Sequence, residues 1–174
     1  GGDAMGPKVL ILMGSDSDWE VMSEAKKALD DMGVACEVHV SSAHRTPERT
    51  GRLAREAAGR GVQVIICGAG AAAALAGVVA AETELPVLGV PLAATELRGL
   101  DALLATLQMP AGVPVGTLAV GKAGARNAGL LATRILACSD PALAAKVRDQ
   151  RERMARDVEA KDAALNAKLA GEKR

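Results

Sequence analysis

The stretch Val9-Leu10-Ile11-Leu12-Met13-Gly14-Ser15-Asp16-Ser17-Asp18-Trp19 decides the fold of this chain. Five consecutive apolar residues leave no polar face, which suits a parallel strand covered by helices on both sides rather than a strand with one face in water. Gly14 ends the run, and Ser15, Asp16, Ser17 and Asp18 supply N-cap side chains for a helix from about Trp19 to Met32, closed by Gly33. Working outward, the same unit recurs. A second strand, Cys36 to Val40, leads into Ser41-Ser42-Ala43-His44-Arg45-Thr46-Pro47, whose proline suits the first turn of a helix through Ala58. A third strand, Val62 to Cys67, opens into Gly68-Ala69-Gly70 and a helix of small residues ending at Ala81. A fourth strand spans Val87 to Val90, a helix runs from about Leu97 to Gln108, and a fifth strand lies near Val115 to Val120.

Strict alternation with short connections argues a doubly wound parallel α/β sheet, a three-layer sandwich. Ligands in such sheets bind beyond the carboxyl ends of the strands, where the loops after the first three strands are the polar or glycine-rich ones. Residues 7–140 are read as this α/β domain and residues 1–6 as a tag remnant or disordered N-terminus. Residues 141–174 are read as a long C-terminal helix. Its apolar positions Leu143, Val147, Met154, Val158, Leu165 and Leu169 form one narrow stripe on a charged helix, too thin to cover a sheet, so the helix is expected to pack on a neighbouring subunit, the alternative being a partly frayed terminal helix.

The chain has 174 residues, enough for one domain that buries about two-thirds of its unfolded surface. Lys plus Arg and Asp plus Glu both number 21, so no basic excess exists to grip a nucleic acid. A single Trp, no Phe and no Tyr exclude base-stacking platforms. Three cysteines at spacings of no zinc or redox motif, the lack of a signal peptide, and no uninterrupted apolar stretch of membrane-spanning length point to a cytoplasmic protein with no membrane partner. With 36 Ala and 19 Gly, the core must rely on close backbone approach.

Two glycine patterns carry little. Gly68 to Ala73 fits a loose dinucleotide fingerprint, but the acidic residue expected at the end of the next strand is missing. Gly116 to Lys122 has phosphate-loop spacing, yet Ala123 stands where a Ser or Thr should hold magnesium. The loop Gly14 to Asp18 admits two readings, simple helix capping or a seat for phosphate and ribose oxygens; its two aspartates argue against a phosphate held there alone. His39, inside a strand, reads as structural. His44 lies past a strand's carboxyl end, either as a proton-exchanging group or as a loop histidine that only hydrogen-bonds, and Arg45 beside it offers a planar fork for phosphate or carboxylate.

Several segments together carry a resemblance. Met13 to Trp19, Ser42 to Pro47, Gly68-Ala69-Gly70 with its small-residue helix, Pro86 to Pro91, Gln108 to Ala128 and Leu130 to Leu136 resemble, in order and without large gaps, the PurE family of 5-(carboxyamino)imidazole ribonucleotide mutases of purine biosynthesis. The resemblance implies a flavodoxin-like subunit in a homo-octamer, with the C-terminal helix embracing a neighbour and Gln108-Met109-Pro110 bordering the active sites. It implies a cofactor-free, metal-free isomerase that moves a carboxylate from the exocyclic amine of an aminoimidazole ribonucleotide to a ring carbon. His44 would be the general acid and base, Ser15, Asp18 and Arg45 would hold phosphate and ribose, and Ser17 and Ser42 would join them. The functional partner implied is the ATP-dependent carboxylase of the preceding step. One departure stands out: Ala74 occupies the place of a histidine in the family's third loop. Two alternatives follow, a direct carboxylase using dissolved carbon dioxide, disfavoured by the opening of the third loop, and a catalytically weakened phosphosugar-binding paralogue.

Overall fold

The computed structural model describes residues 6–172, so the tag reading of the first five residues lies outside the described part. The chain divides into two compact units, one ending at Leu136 and one beginning at Ala137.

In the first unit, β1 (Val9–Met13) has all five side chains buried, as an apolar run without a polar face requires. It pairs in parallel with β2 (Cys36–Val40) on one side and β3 (Val64–Gly70) on the other. β4 (Val87–Leu92) and β5 (Gly116–Thr117) complete an all-parallel sheet of order β2-β1-β3-β4-β5. α1 (Trp19–Asp31) follows β1, α2 (Pro47–Ala57) follows β2, α3 (Leu75–Ala81) follows β3, α4 (Leu100–Leu107) follows β4, and α5 (Lys122–Ala137) follows β5. Leu10, Leu12, Ile65 and Cys67 pack with Ala54 and Ala57 of α2 and with Leu75, Ala76 and Val79 of α3. The opposite face carries α1 and α5. A side chain at Gly68 would collide with Met22 of α1, and a Cβ on Gly129 of α5 would lie 2.6 Å from the Ala25 carbonyl and 2.9 Å from the Ala28 Cβ. The abundance of Ala and Gly thus has a local cause: helices cross so closely that larger residues do not fit. Fully buried aliphatic side chains, at about 1.5–3 kcal/mol each, supply the driving force without aromatic rings.

Four boundaries differ from those the sequence predicts. β3 continues to Gly70 because Ala69 and Gly70 pair with Pro91 and Leu92 of β4. α3 then starts only at Leu75, since Ala71 (φ 51°) and Ala73 (φ 29°) take left-handed backbone that no helix contains. β5 shrinks to two residues, for as an edge strand it has β4 alone as neighbour and matches only Leu88 and Gly89. α4 begins at Leu100 rather than Leu97, because Arg98 (φ 53°) and Gly99 (φ 91°) are left-handed and the Leu97 N–H donates to the Thr95 hydroxyl instead of a helical carbonyl.

The second unit is one uninterrupted helix, α6 (Pro141–Glu172), started by the Asp140 carboxylate, which accepts from the Leu143 N–H at 3.0 Å. Among the described residues no helix is long and apolar enough to cross a membrane.

Candidate active site

In this strand order the crossovers part company between β1 and β3, and the crevice beyond their carboxyl ends is the place where such folds take ligands. A cleft of about 510 Å³ lies there, walled by the loops after β1, β2, β3 and β4.

The first loop is held by a capping box. Ser15, in extended backbone, accepts from the Ser17 N–H, while Asp18 Oδ2 accepts from the Ser15 N–H at 3.0 Å. A 3-10 turn (Asp16–Asp18) then feeds α1. Capping and cleft lining are therefore combined in the same residues: Ser15, Ser17 and Asp18 all face the cavity. Burial pushes the Asp18 carboxyl above the usual aspartate range, and the Ser15 and Gly14 N–H groups and the Arg45 charge only partly offset it.

The second loop starts where the Ser41 N–H donates to the Met13 carbonyl at 2.8 Å, tying the end of β2 to the end of β1. Ser42 through Thr46 form a tight turn closed by the Thr46 N–H on the Ser42 carbonyl at 2.8 Å. The Arg45 guanidinium spans the two loops, with Nη2 donating to the Gly14 carbonyl at 3.1 Å and Nε to the Ser42 hydroxyl at 3.3 Å. Among the described residues these bonds leave Nη1 available to an incoming anion, pre-aimed by the other two nitrogens. His44 is exposed at the cleft wall between them. His39 lies elsewhere, on β2 with its Nε2 3.9 Å from Glu37, whose carboxylate also pairs with Arg60.

The third and fourth loops provide an apolar wall. Gly70 permits Ala94 to approach, since a Cβ on Gly70 would lie 2.6 Å from the Ala94 Cβ. Ala71, Ala73 and Ala74 face the same space, so the wall at Ala74 offers only a methyl group. A second recess of about 470 Å³ adjoins the cleft, sharing Gly14, Ser15, Ser42 and Arg45 and adding Arg49.

All six residues singled out from the sequence, Ser15, Ser17, Asp18, Ser42, His44 and Arg45, thus line one cavity. Sequence reasoning missed Ala94, which no local pattern marks, and the hydroxyls of Ser41, Thr46 and Thr50 beneath the second loop; the run of small hydroxyl residues from Ser41 to Thr50 was their only signal. The cleft places one imidazole, one guanidinium, one carboxyl and three hydroxyls around a space the size of a small polar ligand with a flat apolar part.

Comparison with known proteins bears on the family and the fold. Residues 8–157 match the family model described as AIR carboxylase. The chain is 54% identical over 165 residues to an N5-carboxyaminoimidazole ribonucleotide mutase of Mycobacterium tuberculosis, covering 95% of this chain and 93% of the relative. It is 53% identical over 148 residues to the Bacillus subtilis protein of the same name, covering 85% and 91%. Among solved structures it is similar to Treponema denticola PurE, with a TM-score of 0.83 at 29% identity, covering 91% of this chain and 98% of that one.

Proposed function

Because the chain belongs to the AIR carboxylase family, we propose that it is an N5-carboxyaminoimidazole ribonucleotide mutase with His44 as its acid and base. The observation that carries this reading is the convergence of His44, Arg45, Ser42, Ser15, Ser17 and Asp18 on one cleft at the switch point. Arg45, Ser15 and Ser42 bind the phosphate, with Ser17 beside them, and Asp18 accepts from the ribose hydroxyls. The imidazole ring of the substrate lies against the alanine wall. Protonated His44 delivers its proton to the carbamate nitrogen, the C–N bond breaks, and carbon dioxide is released into the cleft. The ring carbon attacks it, forming the new C–C bond, and neutral His44 removes the proton from that carbon to restore aromaticity. One proton leaves and returns, so the imidazole ends as it began.

The homologues of mutase name at more than half identity disfavour the direct carboxylase. The assay is conversion of the carboxyamino ribonucleotide by purified protein without ATP; turnover is expected well above the uncatalysed exchange, and its absence in folded protein refutes the reading. His44→Asn is expected to lower kcat by about 10²–10⁴-fold, the usual contribution of a positioned acid–base group, while ribonucleotide affinity stays within a few-fold.

The assembly belongs to the same reading. Leu97, Leu100, Leu104 and Leu107 form an apolar stripe on and before α4, each between 48% and 61% exposed in the single chain. That is the surface a homo-octamer covers, with α6 contributing its own stripe of Met154, Val158, Leu165 and Leu169 to a neighbour. A cytoplasmic place, downstream of the ATP-dependent carboxylase that makes the substrate, completes it.

A further inference from the structure

Beneath the second loop runs a chain of hydroxyls that the acid–base chemistry does not use. Thr50, on α2, is fully buried and Ser41, at the end of β2, is 2% exposed. Their oxygens lie 2.7 Å apart. Thr50 Oγ1 also lies 3.1 Å from the Thr46 carbonyl, and Thr46 Oγ1 lies 3.0 Å from both the carbonyl and the N–H of Ser42. Thr50 and Thr46 each spend their one proton on a carbonyl, so Ser41 is the donor, with Thr50 its nearer acceptor and Thr46 Oγ1 at 3.4 Å the other. Ser41 donates to Thr50, Thr50 to the Thr46 carbonyl, and Thr46 to the Ser42 carbonyl while accepting from the Ser42 N–H. Thr46 precedes α2 in the N-cap position, where a threonine ordinarily caps its own helix; here its side chain makes no cap bond and is turned back into the loop. Pro47 at the first helical position eases that diversion, having no N–H to satisfy.

The turn that these bonds tie down, from Ser42 to Thr46, brackets His44 and Arg45. Arg45 has independent anchors in the Gly14 carbonyl and the Ser42 hydroxyl. His44 has no such anchor among the hydrogen bonds of the described residues, so its placement depends on the turn that carries it. We propose that Thr50, with Ser41 as its buried donor, is a positioning residue for His44: it clamps the turn between Ser42 and Thr46 so that the imidazole is held at one place over the cleft. The proposal rests on the mutase reading for its catalytic consequence, but not for the clamp itself.

The test compares Thr50→Val, which keeps the shape and removes the hydroxyl, with Thr50→Ser, which keeps the hydroxyl, and adds Ser41→Ala and the Ser41→Ala/Thr50→Val pair. In the full-length protein, hydrogen exchange at Ser42, Arg45 and Thr46, whose N–H groups all bond within the turn, is expected to quicken about tenfold in Thr50→Val with β1 unchanged, and to stay as in wild type in Thr50→Ser. In the mutase assay Thr50→Val is expected to lower kcat about tenfold with KM within about threefold, Thr50→Ser to restore it, and the double variant to lose no more than Thr50→Val alone. Thr50→Val matching wild type in exchange or in kcat overturns the proposal, as does an equal loss in Thr50→Ser. If wild type itself shows no turnover, the mutase reading fails, and the exchange measurement alone still decides whether the clamp exists.

Discussion

Asp18 sits half-buried at the start of α1, with Oδ2 committed to the Ser15 N–H and its charge poorly solvated. Its carboxyl is held above the aspartate reference value of 3.8, chiefly by burial. A group whose folded value is raised binds its proton more tightly in the folded chain. The stability it contributes is therefore full below 3.8 and is lost as pH rises through the higher folded value. At neutral pH a carboxylate charge at Asp18 therefore costs the fold stability. Asp18→Asn, whose carbonyl oxygen still accepts from Ser15, is expected to unfold at higher urea than wild type at pH 7, the gap closing as pH falls below the aspartate range. It is expected also to weaken ribonucleotide affinity, and a variant that gains stability without losing affinity removes Asp18 from the binding set. Trp19, directly after it and exposed at its edge, makes its fluorescence the natural readout of that titration.

Among the elements, the turn between β3 and α3 shows most plainly what local sequence hides. Ala71 and Ala73 are strong helix formers held in left-handed backbone, at a cost of about 1–2 kcal/mol each relative to ordinary backbone. Ala71→Gly removes that strain and loses part of the gain to chain entropy, so a net stabilisation of about 0.5–1 kcal/mol is expected in denaturant melts. Nothing in a run of four alanines announces this; the strand simply runs on along β4 until Gly70, and the chain must then turn sharply under Ala94. By contrast β1 was fully legible, because an unbroken apolar pentapeptide has one stable place in such a sheet. α1 and the capping box were legible too, since Ser15 and Asp18 act within three residues of each other. The second loop was half legible: His44 and Arg45 declare their chemistry by residue type, whereas Thr50 acts through a contact nine positions back, with Ser41, which only the fold of the loop between β2 and α2 creates. The shortness of β5 was hidden for the same reason, its extent being set by β4 rather than by its own valines.

At the scale of the whole molecule, the leucines of α4 have no counterpart within their own unit. α4 buries Ala102 and Thr106 against the sheet and turns Leu100, Leu104 and Leu107 outward. Each of these side chains is about half exposed, and covering what remains would add apolar burial at about 25 cal/mol per Å² toward the assembly proposed above. Sedimentation of the wild-type protein is expected to show a large symmetric oligomer, and Leu104→Glu to shift it toward smaller species with a lower melting temperature. A wild-type monomer at micromolar concentration overturns the octamer reading while leaving the cleft chemistry to its own assay.

The strand order bears, finally, on how the chain is born. β1 is an interior strand and the first of the five to be synthesised, yet both of its neighbours lie downstream: β2 follows α1, and β3 ends only at Gly70. Until β2 is made the most apolar pentapeptide of the protein has no partner on either edge, and until β3 is made it lacks one of the two. Such a segment is open to non-native pairing until the long-range contacts close. Slowing translation between β1 and β3 lengthens this window, so slow synonymous codons in that interval are expected to lower the yield of native protein without altering a single residue, which expression of recoded genes measures.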